Sequence, residues 1–360
     1  MKIALITDTH WGVRNDNIAF MDNSKKFLDD IFFPYLDQHH ITTVCHLGDL
    51  VDRRKYINYN TALRLRQDFL APIFERGIDL HIIAGNHDTY FKNTNRINAL
   101  DELVRGRYKF NVYDQIPREV EFDGCTVLML PWICDENRDI CLQKVRTTPA
   151  SIVMGHLELA GFEMYRGSMV SHGDDRSPFD RFNMVLSGHY HHRSSDGTIY
   201  YLGSHAEFTW SDYDDPKGFH ILDTDTRTLQ FIKNPFSMFE KVWYNDTDKE
   251  SYFYPGKEPQ GIDLSNLKGK IIKVIVTSKS NPYLFDKFIE QIEKVGVLEM
   301  QIVDDHMNLG LVNDDDIVNE AESTIDIFKT YISGMEVQNV DKRRLENTIT
   351  ELYNEALTIE

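Results

Sequence analysis

Five short segments carry side chains able to hold a metal: Asp8-Thr9-His10, Gly48-Asp49 with Asp52 three residues on, Gly85-Asn86-His87-Asp88, Gly155-His156, and Gly188-His189-Tyr190-His191. Together they offer two hard carboxylates (Asp8, Asp49), one amide oxygen (Asn86) and four imidazoles (His10, His156, His189, His191). That mixture suits borderline divalent ions such as Mn, Fe or Zn, and not an all-oxygen calcium site. Seven donors are too many for one ion of ordinary coordination. Two ions sharing a bridging carboxylate would use them all and leave positions for water and substrate. Such a pair, about 3.5–4 Å apart, clamps a phosphoryl group and lowers the pKa of a bridging water for in-line attack at phosphorus. Each residue alone has a plainer explanation: Asp and Asn cap helices and turns for local reasons, and most of 14 histidines are structural. Independent capping needs would not place His after Gly at successive strand ends, nor set His189 and His191 two apart.

The elements that must position these residues are strands. Residues 2–7, 43–47 and 79–84 are apolar runs of strand length, and each delivers candidate donors at its end. Gly85 lets the chain turn there with no Cβ in the way, presenting Asn86, His87 and Asp88. Between them, residues 23–39 and 59–75 have helical apolar spacing, the first with Pro34 as a kink or stop. Strand, site residue and helix repeat three times, which favours parallel strands with crossover helices in an α/β, doubly wound arrangement. Residues 96–104 read as a short helix, and 126–130, 151–154 and 183–186 as further strands. Residues 199–202, 219–222 and 229–232 read as consecutive antiparallel strands.

Residues 235–266 lack periodicity and hold a domain boundary. Beyond them, strand 270–276, helix 283–295 and strand 298–303 form a small βαβ unit. Two tail helices follow, marked by Ile325, Phe328 and Ile332, and by Leu345, Ile349, Leu352, Tyr353 and Ala356. With one apolar stripe each, they must pack on the body or on a partner.

The chain has 360 residues and 41% hydrophobic content, enough for one large domain with an appendage. No apolar run is long enough to span a bilayer, and the amino terminus lacks a signal-peptide layout, so a soluble, unsecreted protein is expected. Cys45, Cys125, Cys134 and Cys141 form no Cys-x-x-Cys pair, which speaks against a zinc ribbon, a redox pair or a disulfide framework. The net charge of −18 conflicts with a basic nucleic-acid-binding face. Residues 241–360 hold 13 basic against 23 acidic side chains, more than their share of the excess. Bound divalent cations would relieve part of that conflict.

The five motifs resemble the calcineurin-like metallophosphoesterase superfamily. Within it, Thr7-Asp8-Thr9-His10-Trp11-Gly12, the 48–52 segment, and the βαβ unit with its helical tail resemble the SbcD-type DNA repair nucleases. Ile41-Thr42-Thr43, the 120–125 segment, Pro131-Trp132 and Lys217-Gly218-Phe219 are similar, more closely, to the recombination endonuclease nuclease subunits of T-even-type bacteriophages.

The resemblance implies a two-sheet metallophosphoesterase β-sandwich flanked by helices, in place of the doubly wound sheet, with a small βαβ capping domain and a C-terminal helical tail. The expected divisions are 1–240 for the nuclease domain, 241–312 for the capping and DNA-binding domain, and 313–360 for the tail that binds an ATPase partner. It implies that Asp8, His10, Asp49 and His191 hold one metal and Asp49, Asn86, His156 and His189 the other. His87 would meet the phosphate and protonate the leaving oxygen, with Asp88 orienting its ring.

The implied cofactors are two divalent metal ions, Mn foremost and Mg as the alternative. The implied activity is a dimetal-dependent DNA nuclease of recombination and repair, a double-strand exonuclease and single-strand endonuclease. It would act as a homodimer in the cytoplasm (a host cell's, if viral), without a membrane, beside an SbcC-type coiled-coil ATPase docked on the tail helices. Much of the basic DNA-holding surface would then belong to the partner.

Arg53, which in the phosphatase version of the motif grips phosphate, keeps a phosphoprotein or small-molecule phosphatase as an alternative. An inactive scaffold is a third reading, opposed by the intact donor set. His192 and His205 are expected to be structural.

Overall fold

The fold comes from a computed structural model that describes residues 1–171, 173–247, 264–304 and the single position 348. The chain divides into two compact units, Met1–Leu309 and Gly310–Glu360. Both tail helices, and the 313–360 division apart from residue 348, lie outside the described residues.

Seventeen strands are described: β1 (Lys2–Ile6), β2 (Thr43–His46), β3 (Asp79–Ile83), β4 (Asn111–Tyr113), β5 (Arg118–Phe122), β6 (Cys125–Leu130), β7 (Ile152–His156), β8 (Glu163–Tyr165), β9 (Ser168–Met169), β10 (Met184–Gly188), β11 (Ser194–Ser195), β12 (Ile199–Tyr201), β13 (Gly218–Asp223), β14 (Thr228–Lys233), β15 (Phe239–Asn245), β16 (Ile271–Ser278) and β17 (Glu299–Asp304). Two six-stranded sheets run in the orders β14-β13-β1-β2-β3-β4 and β11-β12-β10-β7-β6-β5. In the first, β1 to β4 are parallel, and β13 joins β1 antiparallel. In the second, β6, β7, β10 and β12 are parallel, with β5 and β11 antiparallel at the two edges.

The sandwich follows from period-two burial. Ile3 and Leu5 of β1, Cys45 of β2 and Ile83 of β3 face Val127, Met129, Ile152, Met154 and Leu186 of the second sheet. Their neighbours Ala4, Ile6, Val44, Leu80 and Ile82 face the helices, against Phe27, Phe32, Leu36, Phe69 and Ile73. Burial on both faces explains why these strands read as mainly apolar and not as a polar/apolar alternation. The doubly wound reading fails because the second half of the chain builds its own sheet. Residues 199–202 likewise leave the antiparallel series: β12 pairs parallel with β10, while β13 and β14 pair in the first sheet.

Both long helical segments run past their prolines. Ile18–Phe27 continues through the wide turn Leu28–Phe32 into Phe33–Gln38, and Tyr59–Arg64 through Leu65–Leu70 into Ala71–Glu75. A π-type turn just before Pro34 and Pro72 gives room for the ring that would otherwise meet the carbonyl four residues back.

The expected βαβ unit is present and carries one strand more. The sheet β15-β16-β17 is all parallel, and helix Pro282–Val295 packs Phe285, Phe288 and Ile292 on Ile272, Val274 and Val276. Charged Glu240 and Lys241 interrupt the apolar alternation of β15, which is why the 235–266 stretch shows no strand pattern. A second cluster of Phe20, Phe208, Trp210, Met238, Phe239 and Ile271 joins this layer to the sandwich. Among the described residues, no helix is long and apolar enough to cross a membrane.

Candidate metal centre

The carboxyl ends of β1, β2, β3, β7 and β10 deliver the candidate donors, and backbone bonds lash the loops together. Asp8 N–H donates to the Gly48 carbonyl (3.0 Å), His10 N–H to Asp49 (3.1 Å), and Trp11 N–H to Leu50 (2.9 Å). Asp8, His10, Asp49 and His189 all have left-handed backbone, with φ of 52°, 43°, 55° and 87°. For residues with a Cβ such conformations cost about 1–3 kcal/mol each and persist only where surrounding structure enforces them.

The glycines before the donors answer a packing demand. A Cβ on Gly85 would lie 2.1 Å from Asp49 Oδ1, and one on Gly188 would lie 2.1 Å from Thr7 Oγ1 and 2.9 Å from Asp8 Oδ2. Gly85 does not have positive φ, so close approach of Asp49 requires it, and not the turn expected from sequence.

All seven predicted donors and His87 come together. Donor atoms of Asp8, His10 and His191 lie within 4.8 Å of one another, as do those of Asp49, His156 and His189, and those of His10, Asp49 and His87. Asp49 is thus common to two groups. Its Oδ2 is 3.1 Å from His156 Nε2 and 3.8 Å from His10 Nε2. Asn86 Oδ1 meets His156 Nε2 at 2.9 Å and His189 Nδ1 at 3.0 Å. His10 Nε2 and His191 Nε2 face each other at 3.1 Å.

Asp8, His10, Asp49, Asn86 and His156 are buried. Burial disfavours the imidazolium of His156, yet the adjacent Asp49 carboxylate outweighs it and pushes this histidine up to about 9. Asp49 itself, which burial alone would raise, is held well below the carboxylate range by His156. Burial, with His156 nearby, keeps His189 well below its ordinary value, and its Nε2 is buried without a hydrogen-bond partner among the described residues.

Lone pairs of carboxylate and imidazole converge in an Asp8, His10 and His191 group and in an Asp49, His156 and His189 group, with Asp49 Oδ2 3.8 Å from His10 Nε2 between them, and a single proton beside His156 answers only one of the two. The donor set fits two cations.

His87 Nδ1 lies 2.5 Å from the Asp52 carbonyl, which fixes the ring. Asp88 does not take that role. Its Oδ1 accepts the N–H groups of Leu50 (2.9 Å) and Val51 (3.2 Å), and its Oδ2 that of Gly85 (2.9 Å). A fully buried carboxylate needs several donors, and the 48–52 backbone supplies them, so Asp88 ties the β2 and β3 loops together. Arg53 is committed to Asp16 Oδ2 and Asn15 Oδ1, both at 2.8 Å. These partners sit in a left-handed turn, Arg14 to Asp16, that the arginine braces.

His192 turns to Asp215 (3.0 Å) and His205 to Ser24 Oγ (3.0 Å), structural roles as expected.

Four further residues surround the donors: Asp52, which the sequence sets beside Asp49 without a role, and Trp132, Phe208 and Lys217, which it does not mark as part of the site. Asp52 also brings its carboxylate within 3.5 Å of His10 Nδ1. Trp132 packs its indole 5.3 Å from the His189 ring, and Phe208 packs between His10 and His191 at 5.7 and 5.8 Å. Lys217 is buried with Asp212 (2.7 Å) and Asp215 (2.8 Å) and donates to the His191 carbonyl (2.8 Å). Asp52 is legible from its place three residues after Asp49; the others are single residues far away in sequence.

A relative 32% identical over 361 residues, 99% of either chain, is exonuclease subunit 1 of Enterobacteria phage T4. The SbcD component of nuclease SbcCD from Staphylococcus epidermidis is 22% identical over 260 residues, covering 64% of this chain and 67% of its own. Among solved structures, an archaeal phosphodiesterase is loosely similar over 65% of this chain and all of its own, at 16% identity and TM-score 0.32. The model of the calcineurin-like phosphoesterase family matches residues 1–193, the stretch that contains every donor described above, and the chain belongs to that family.

Proposed function

We propose that the protein is a metal-dependent phosphodiesterase acting on DNA, the nuclease subunit of a recombination and repair complex. The observation that carries this reading is the Asp49 carboxylate, whose Oδ2 lies between His156 Nε2 (3.1 Å) of one donor group and His10 Nε2 (3.8 Å) of the other. The DNA substrate rests on the full-length similarity to a phage exonuclease subunit. Asp8, His10, Asp49 and His191 hold one divalent cation, and Asp49, Asn86, His156 and His189 the other. Mn, with Mg the alternative, is carried over from the nuclease resemblance, and the carboxylate and amide oxygens among the donors accommodate it. When bound, the pair supplies an activated water and positive charge at the phosphoryl group.

The chain's own residues do the rest. With Nδ1–H given to the Asp52 carbonyl, His87 keeps Nε2 to pass a proton to the leaving oxygen. Asp88 acts by holding the Asp49 and Asn86 loops in register. The phosphatase reading loses its support, because Arg53 is paired with Asp16. An inactive scaffold does not account for a complete donor set.

Double-strand exonuclease and single-strand endonuclease activity, an SbcC-type coiled-coil ATPase on residues 313–360, and action in the cytoplasm of a host cell belong to the same proposal, supported by similarity to a phage exonuclease subunit and to an SbcCD nuclease subunit. A homodimer is part of it as well.

The test is purified protein with Mn on end-labelled duplex DNA, beside Asp49→Asn and His87→Ala. Nucleotide release by the unaltered chain, by itself or with the ATPase partner, is expected. Turnover of a phosphomonoester with no release of nucleotides, with or without the ATPase partner, would replace this reading with the phosphatase one.

A further inference from the structure

At the edge where β11 and β12 of one sheet lie near β13 and β14 of the other, a cavity of about 290 Å³ opens, and none of the nine predicted site residues lines it. Its polar lining includes Arg193, Ser194 and His220; Tyr200, Leu229 and Phe231 supply flat or apolar surface, and no carboxylate contributes. In a chain of net charge −18, that is a locally cationic hollow.

Two of its polar atoms are orphaned. His220 is only 6% exposed, and its Nδ1, like the buried Ser194 Oγ, makes no hydrogen bond among the described residues. A buried polar atom left this way costs about 1–3 kcal/mol, so the arrangement calls for something that completes it.

Arg193 supplies the charge. Among the described residues its guanidinium makes no hydrogen bond or ion pair; it lies 3.7 Å over the Phe231 ring. Contact with the ring face restrains the guanidinium while its N–H donors are free of other protein partners among the described residues and available to an oxyanion. Burial, then the nearby Arg193, pushes His220 down to about 3, so the ring is neutral and can present one N–H.

We infer that the cavity binds a phosphate monoester carrying a planar ring, a nucleoside monophosphate being the simplest. Arg193, Ser194 and His220 meet the phosphate, and Tyr200, Leu229 and Phe231 flank the ring. The volume sits near the lower end for ligand pockets, roughly 300–1,000 Å³, and a bare phosphate would leave much of it unfilled. The site is independent of the nuclease reading, since it uses none of the metal donors.

The test is calorimetry on the full chain kept in EDTA, titrated with dAMP, inorganic phosphate and deoxyadenosine. One dAMP per chain is expected, bound about tenfold or more tighter than either fragment. Arg193→Gln should weaken it about tenfold or more, the worth of a charged hydrogen bond. Ser194→Ala, which removes one hydroxyl and nothing from the packing, should weaken it several-fold, and circular dichroism checks that both variants fold. Asp49→Asn should leave dAMP affinity unchanged. The inference is overturned by absent saturable binding, by unchanged affinity in either cavity variant, by equal affinity for inorganic phosphate, or by loss in Asp49→Asn, which would place the nucleotide at the metal centre.

Discussion

Replacing Gly85 by alanine should disable the metal centre without touching a donor. The added Cβ would lie 2.1 Å from Asp49 Oδ1, 2.4 Å from its backbone nitrogen and 2.8 Å from its Cγ, against 3.4 Å for ordinary contact. The methyl is therefore about 1.3 Å too close to a residue that cannot retreat, because Asp49 holds left-handed backbone and its Oδ1 accepts the His87 N–H at 2.8 Å. Overpacking of this kind costs about 1–3 kcal/mol in stability. Displacing the shared carboxylate by about 1 Å should lower turnover about 10²-fold. The assay is Mn-dependent cleavage of labelled duplex DNA, with metal stoichiometry by calorimetry and a thermal melt. Gly155→Ala is the control beside another donor: its nearest contacts, Leu157 Cγ at 3.2 Å and the Leu130 carbonyl at 3.3 Å, need to yield only a few tenths of an ångström. Gly85→Ala protein that keeps full turnover and stoichiometry would refute the reasoning.

Lys217→Met strands the buried Asp212 and Asp215 carboxylates. A loss of about 3–5 kcal/mol in urea unfolding is expected, with weaker Mn binding because the His191 carbonyl loses its donor; unaltered stability would refute it. His87→Ala should keep both metals and lose about 10²–10⁴ in turnover, whereas Asp49→Asn should lose metal, a contrast that elemental analysis reads directly. Burial pushes Glu207 up to about 7 from an ordinary 4.5, although its carboxylate accepts the N–H groups of Met238 and Phe239. A raised folded-state pKa stabilises fully below 4.5, and that contribution is lost as pH rises through 7. Glu207→Gln should therefore gain stability relative to the native chain between pH 5 and pH 8, by up to about 3 kcal/mol, and parallel pH profiles in urea unfolding would contradict it.

The donors are legible in sequence because metal chemistry restricts residue types and strand ends restrict spacing. The strands feeding them are legible because β1, β2 and β3 are buried on both faces and so mainly apolar, with His46 and His81 among the buried polar exceptions. What escapes is whatever depends on approach from afar. Asp88 looks like a partner for the neighbouring His87, yet the 48–52 backbone claims it. Lys217 lies 26 residues from the carbonyl it holds. Arg53 reads as a phosphate grip until the left-handed turn at Arg14 to Asp16 places Asp16 against it. Strand β15 hides behind two charged side chains.

The two-sheet arrangement is itself required by the donor distances. Strands in one sheet lie about 4.8 Å apart, so five strand ends along a single doubly wound sheet would spread their donors over roughly 19 Å. No pair of cations could span that. In the sandwich, β1, β2 and β3 bring Asp8, His10, Asp49 and Asn86 from one side, and β7 and β10 bring His156, His189 and His191 from the other. Most of the close contacts between donors cross between the sheets: His10 to His191, Asn86 to both His156 and His189, and Asp49 to His156. Backbone and side chain close the same seam, with His189 N–H on Asp8 Oδ1 at 3.1 Å and His156 Nδ1 on the Leu47 carbonyl at 2.8 Å. The apolar layer of Ile3, Leu5, Cys45, Met129, Met154 and Leu186 therefore sets the spacing of the metal centre as much as the donors do.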